Sequence, residues 1–327
     1  MIFVCVIYLM SEGTKLRKNG GRFLIEKDGK NLQSVPMGEV ESVVVRRCAE
    51  ISTPALYELF ERNAGVFYVD GRGRLMGQME IPAGSLARFE KQRESFLDEE
   101  KAVCMVRSTI GEKLSGQTEL LGYYAKQKKE TAIAQCVKEI RRIAERLHTV
   151  TDKEELRGLE GLASRTYFSA FSFLLDTSVW VWNGRSRRPP QDPVNALLSY
   201  GYAFLEREVR MAVIGAGLDG RMGFFHSNNG RKDSLVFDLM EPFRQRIIDR
   251  LVLKLLNRKQ FKPEDFSYIQ DGGCCLRDAA RQRWIECYES YMAHPTNEYG
   301  GAAPRKWIRE WVHNFARGIF REQKEAV

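Results

Sequence analysis

The sequence predicts an α+β protein: a small β-rich N-terminal domain over residues 1–82, followed by a larger all-α domain over residues 83–327. Three observations carry that prediction. Short apolar or β-branched runs broken by turn residues fill the first part. Composition shifts at Pro82-Ala-Gly84-Ser85, read as a linker. From Leu86 onward nearly every segment has helical period.

Phe3–Met10 is an apolar strand; it lacks a basic leader and is too short to span a bilayer. Arg22–Glu26 and Glu41–Val45 are further strands, and Lys27-Asp-Gly-Lys30 supplies the positive φ of a tight hairpin. Ser52-Thr53-Pro54 opens a helix that Leu56, Leu59 and Phe60 continue. Gly65–Val69 is a strand, and Asp70-Gly71-Arg-Gly73 turns it into Leu75–Ile81. Helices are expected at Leu86–Ile110, Thr118–Thr149, Glu154–Leu175, Pro193–Ile214, Glu241–Arg258, Gly272–Met292 and Ala303–Phe320. Between the third and fourth lies a basic loop, Asn183-Gly-Arg-Ser-Arg-Arg-Pro-Pro190, which a helix cannot cross. Gly215–Asp233 is glycine-rich and irregular.

The 327 residues suffice for two domains and a substantial core. Lys plus Arg number 51 against 43 Asp plus Glu, and the net charge of +8 favours an anionic partner. No segment reaches transmembrane length, so a cytoplasmic protein without membrane contact is expected. The 7 cysteines form no C-x-x-C pair, which argues against a disulfide framework or zinc ribbon. Cys274, Cys275 and Cys287 read as buried thiols on helices.

Glu160 shares a helical face with Leu156, Leu159, Ala163, Tyr167 and Phe171, where a carboxylate needs a partner or a cation. By itself a lone Glu there sits at the stripe's edge and reaches water. His226 follows Gly223-Phe-Phe and precedes a polar, glycine-rich run, a loop setting that suits binding. Asp238 and Glu241 stand three apart after a strand-like run, Ser234–Phe237. They read either as N-cap and capping-box partner or as two carboxylates on one side of a helix start. Two carboxylates and one imidazole suit Mn²⁺ or Mg²⁺, and the single imidazole makes Mn²⁺ the easier fit. Such an ion polarises a phosphodiester and activates an oxygen nucleophile.

Arg246, Arg250, Lys254 and Arg258 recur every fourth residue with no acid in the row, an arrangement suited to phosphate contact. Arg244, three residues after Glu241, could meet the same phosphate as the metal. Gly215-Ala-Gly217-Leu-Asp-Gly220 matches a dinucleotide-binding pattern, but a helix precedes it and a loop follows, so that fold is rejected and no organic cofactor is expected.

Several ordered motifs resemble one family. The runs are Pro189-Pro-Gln-Asp-Pro-Val-Asn-Ala-Leu-Leu-Ser-Tyr-Gly-Tyr202, Gly217-Leu-Asp219, Gly223-Phe-Phe-His226 and Ser234-Leu-Val-Phe-Asp-Leu-Met-Glu-Pro-Phe-Arg244. With Glu160-Gly-Leu-Ala-Ser-Arg-Thr-Tyr-Phe168, Val35-Pro36 and Ile51-Ser-Thr-Pro-Ala-Leu56 they span nearly the whole chain and look like the CRISPR-associated endonucleases that insert new spacers. The resemblance implies metal ligands at Glu160, His226 and Glu241, with Asp238 beside them. Some members use Asp as the third ligand, which leaves Asp238 and Glu241 both open. It further implies an N-terminal domain used for homodimerisation and a helical catalytic domain. Double-stranded DNA, as spacer precursor and CRISPR repeat, is the implied substrate. A small ferredoxin-like subunit bridging two homodimers into a hetero-hexamer is the implied partner. The implied reaction is attack of a DNA 3′-hydroxyl on a phosphodiester at the repeat edge, without a covalent enzyme intermediate. Two rivals share these residues: a general metal-dependent nuclease for branched DNA, and a non-catalytic DNA-binding scaffold.

Overall fold

The structure, a computed structural model, describes residues 2–3, 5–79, 84–226, 233–269 and 272–320. Pro82 and Ala83 of the expected linker lie outside them. The chain forms two compact units, Met1–Pro82 and Ala83–Val327. The α+β class stands, with strands concentrated in the first unit and helices in the second.

In the first unit a five-stranded sheet runs in the order Ile2–Phe3, Cys5–Leu9, Val40–Arg46, Gly65–Val69, Leu75–Met79. Val40–Arg46 pairs in parallel with both neighbours, which explains why its β-branched run is buried almost throughout rather than alternating. A four-stranded sheet adds Lys30–Pro36, Arg22–Lys27, Thr14–Asn19 and Glu50–Ile51. The expected hairpin turn is present, with Asp28 at φ 50° and Gly29 at φ 75°. Ile7, Leu9, Leu16, Phe23, Val43, Leu59 and Val66 fill a core shared by strands of both sheets and the helix Thr53–Glu61. Thr14–Asn19 and Lys30–Pro36 are strands that the sequence does not announce. Both are mostly polar and paired in antiparallel ladders; Lys30–Pro36 is largely exposed, whereas Thr14–Asn19 buries Thr14 and Leu16.

In the second unit the helix expected to end at Ile110 instead breaks at Asp98, which caps a continuous 30-residue helix, Glu99–Lys128. The stretch between the expected helices, 111–117, is itself helical, and in it Gly116 is a contact point where an added Cβ would lie 3.2 Å from Arg246 Cγ. Four further helices run Thr131–Arg146, Lys153–Ser169, Pro193–Gly215 and Ser234–Phe243. The last continues through a π-helical stretch, Arg244–Asp249, into Arg250–Asn257. Pro242 lacks the N–H that a helix interior requires, and the widened turn follows directly after it. Asp278–Ala293 and Pro304–Phe320 complete the helices. Cys274 and Cys275 lie on a short strand, Cys274–Leu276, rather than on a helix. Gly201 permits a close crossing: a Cβ there would sit 2.6 Å from Ile248 Cγ2 and 3.0 Å from the Trp284 ring. The glycine pattern at 215–220 is a helix stop, with Gly217 at φ 72° and the Leu218 amide bonded back to Val213 O at 3.1 Å. No helix among the described residues is long and apolar enough to cross a membrane.

Candidate active site

Two sequence expectations fail at the start of the site. Ser234–Phe237 is helix, not strand, and its N-cap position is Asp233. Asp238 and Glu241 are therefore not a capping pair; both are buried inside the helix.

Asp238 is an anchor for the preceding loop. Its carboxylate accepts the backbone N–H groups of Phe224 at 2.8 Å, Phe225 at 3.0 Å and His226 at 2.9 Å. It also meets His226 Nδ1 at 2.6 Å. With the carboxylate as acceptor, a neutral ring carries its proton on Nδ1 and keeps its lone pair on Nε2. Gly223 makes the wrap possible, since a Cβ there would fall 2.7 Å from Asp238 Oδ2.

Glu160, on Lys153–Ser169, and Glu241, on Ser234–Phe243, converge on one cation. Lys113 Nζ of the long helix pairs with Glu160 Oε1 and, at 2.6 Å, with Glu241 Oε2. Ser164 donates to Glu160 Oε1 at 3.0 Å, and Arg244 Nε donates to Glu241 Oε1 at 2.9 Å. Burial works against the Glu241 charge, but Arg244 and Lys113 outweigh it and lower the carboxyl to about 2. Arg157, one turn before Glu160, donates to Phe225 O at 2.8 Å and ties this helix to the histidine loop.

Glu160 and Glu241 thus come together at Lys113, while His226 is anchored by Asp238 in a loop that Arg157 ties to the helix of Glu160. Among the described residues no three His, Cys, Asp or Glu side chains form a ready metal cage, and Lys113 stands between the two glutamates. The donor set nevertheless suits a hard divalent ion. Glu241 Oε2 is buried with no hydrogen bond aligned on it, and meets Lys113 only as an ion pair.

The basic row behaves differently from its expectation. Arg246 is bound by Glu112 at 2.7 Å and by Glu119 at 2.9 and 3.0 Å, acids from a neighbouring helix that the row itself does not reveal. Arg250 pairs with Glu298 at 2.5 Å. Lys254 is exposed, with its ammonium 5.6 Å from the Tyr291 ring centre. Of these three, Lys254 carries its charge on the exposed surface. Replacing Arg246 with Gln is expected to cost about 1–2 kcal/mol in chemical denaturation, since both acids are partly exposed, and to leave the salt slope of DNA affinity unchanged.

Two features went unread in the sequence. Lys113 lies among Ile110, Leu114 and Gln117 on a buried helical face, the signal that marked Glu160. Arg185, in the basic loop, turns inward, donating to Asn195 Oδ1 at 2.8 Å and Ser199 Oγ at 3.1 Å. Both acceptors are neutral, and burial pulls the guanidinium pKa down. It lines a cleft of about 600 Å³ with Ser164, Arg165, Phe168, Trp182 and Arg187, one turn from Glu160.

Beneath the site Asp249 is fully buried, accepting from Tyr202 at 2.6 Å and Tyr167 at 2.8 Å. Burial raises its carboxyl to about 6 despite those hydrogen bonds. Because the folded value lies above the unfolded value of about 3.9, its favourable contribution is full below pH 4 and is lost as pH rises through 6. Between pH 5 and 7.5 the loss is about 1 kcal/mol. Denaturation across that range should show this component in the wild type and not in Asp249→Asn. An identical pH slope in both would refute it.

The CRISPR associated protein Cas1 family model matches residues 7–290. A Rhodospirillum rubrum protein named CRISPR-associated endonuclease Cas1 2 is 34% identical over 303 residues, covering 88% of each chain. A solved Cas1 protein from Thermotoga maritima superposes with a TM-score of 0.84 at 23% identity, covering 97% of this chain and 98% of that one. A casposase bound to its integration product gives a TM-score of 0.84 at 21% identity, covering 96% of this chain and 90% of that one. At those identities the structural likeness speaks to the fold. With the family model matched along most of its length, the chain belongs to the CRISPR associated protein Cas1 family of endonucleases.

Proposed function

We propose that this protein is a metal-dependent DNA integrase that inserts captured DNA fragments as new spacers into a CRISPR array. The observation that carries the reading is the convergence of Glu160 and Glu241, from separate helices, on one buried cation beside a histidine oriented by Asp238. Glu160, His226 and Glu241 would hold Mn²⁺ or Mg²⁺, with Asp238 orienting His226 rather than ligating. When bound, the ion stabilises the charge that develops on the attacked phosphodiester and lowers the pKa of the attacking hydroxyl. Arg244, paired with Glu241, would meet the same phosphate. Phe168 and Trp182, with Arg165, Arg185 and Arg187, give the adjoining cleft the stacking faces and cations that suit a DNA strand.

In this reading the substrates are a double-stranded spacer precursor and the CRISPR repeat, within the cytoplasm. Two copies join through residues 1–82, and a small ferredoxin-like subunit bridges two such homodimers into a hetero-hexamer. Insertion at both repeat ends requires two active sites at a fixed separation. A fold shared with a casposase bound to its integration product is in keeping with strand transfer rather than simple hydrolysis.

The test combines the full chain and its partner subunit with a labelled duplex carrying 3′-hydroxyl ends, a supercoiled repeat-bearing plasmid and Mn²⁺. Covalent joining of label to plasmid is the expected result. Metal-dependent nicking without joining would instead identify a general nuclease, and DNA binding without turnover a scaffold.

A further inference from the structure

Glu160 and Glu241 present carboxylates to one another in a largely buried space, which is unfavourable without a cation between them. Lys113 supplies that cation. Its side chain and that of Glu241 are each 7% exposed, and its ammonium touches both acids. Burial opposes the ammonium's charge, but the paired carboxylates prevail. The remaining Glu241 oxygen is held by Arg244, so the local formal charge is balanced by two acids and two bases without any ion.

Resting on the metal-site reading above, we propose that Lys113 is a built-in occupant of the metal position, which the divalent ion must displace. The oxygens that an ion would take, Glu160 Oε1 and Glu241 Oε2, are those in contact with Lys113 Nζ. An ammonium already against both oxygens occupies the space that a metal about 2.1 Å from them would need, and the two cations repel one another. Lysine is suited to yield, because its charge rides on a flexible four-carbon stem with rotatable donors, unlike the planar fork of arginine. The displaced ammonium remains in the site, where a phosphate is the available anion. Lys113 thereby keeps the two ligands together in the ion-free protein and weakens ion binding by competing for them.

The experiment is Mn²⁺ calorimetry on full-length wild type, Lys113→Met and Lys113→Arg, with Glu160→Gln and Glu241→Gln as site controls. Lys113→Met should bind Mn²⁺ about tenfold or more tightly than wild type, while melting lower without metal and gaining more from its addition. Lys113→Arg should bind no more tightly than wild type. Unchanged or weaker Mn²⁺ binding by Lys113→Met would overturn the proposal while leaving the metal site intact. Failure of wild type to bind Mn²⁺ in a manner the two Gln variants remove would overturn the metal-site reading itself, and this proposal with it. A second readout needs no variant to fold. Acetylation of Lys113 in the wild type, followed by peptide mass, should be slow without metal and several-fold faster at saturating Mn²⁺; equal protection in both states contradicts displacement.

Discussion

Alanine at Glu160, His226 or Glu241 is expected to reduce strand transfer by at least about 10³-fold in each case, roughly 4 kcal/mol of barrier. The effect is large because each residue is a proposed ligand with little redundancy. The variants should separate in stability, which distinguishes ligation from packing. His226 is 44% exposed at its side chain, so His226→Ala should unfold close to wild type. Glu241→Ala leaves Arg244 and part of the Lys113 pairing uncompensated in a buried setting, and should unfold earlier. Calorimetric Mn²⁺ titration should show loss of binding in all three. Full strand transfer by His226→Ala in Mn²⁺ would remove His226 from the site.

The second large effect is expected at Asp238. Alanine there orphans the backbone N–H groups of Phe224, Phe225 and His226 and releases the imidazole. At about 1–3 kcal/mol for each buried unsatisfied donor, partly relieved by water, the loss should be about 3–5 kcal/mol in urea denaturation. A helix cap would have cost only about 1 kcal/mol. Asp238→Asn keeps the volume but turns an amide N–H toward groups that are themselves donors. It should lose about 10–100-fold in metal affinity or strand transfer, as an orienting partner of a ligand does. Wild-type stability in Asp238→Ala would show that the loop is held by other contacts.

The comparison of sequence with structure follows from which interactions are local. The hairpin at Asp28-Gly29, the parallel-strand run Val43–Val45 and the helices around Leu156 and Phe204 depend on residue type and near-neighbour period, and each was legible. Lys30–Pro36 was not, because an exposed edge strand is polar on both faces and takes its conformation from the ladder it joins. Ser234–Phe237 reads as strand for the opposite reason: a short helix buried nearly all round shows no alternation of polar and apolar faces.

At the site, ordered motifs were enough to nominate Glu160, His226, Asp238 and Glu241, since their residue types and flanking glycines are fixed in the chain itself. Their division of labour was not, because it depends on which groups lie opposite after folding. Asp238 is spoken for by three backbone N–H groups and an imidazole, whereas Glu241 faces Lys113 and Arg244. The same reason undid the cationic row: Arg246 finds Glu112 and Glu119 more than 120 residues away, acids that no period along its own helix reveals. Sequence alone determined which side chains this protein has for its chemistry. Tertiary structure decided which are already paired, since an ion pair is set by the desolvated distance between charges and not by their separation along the chain.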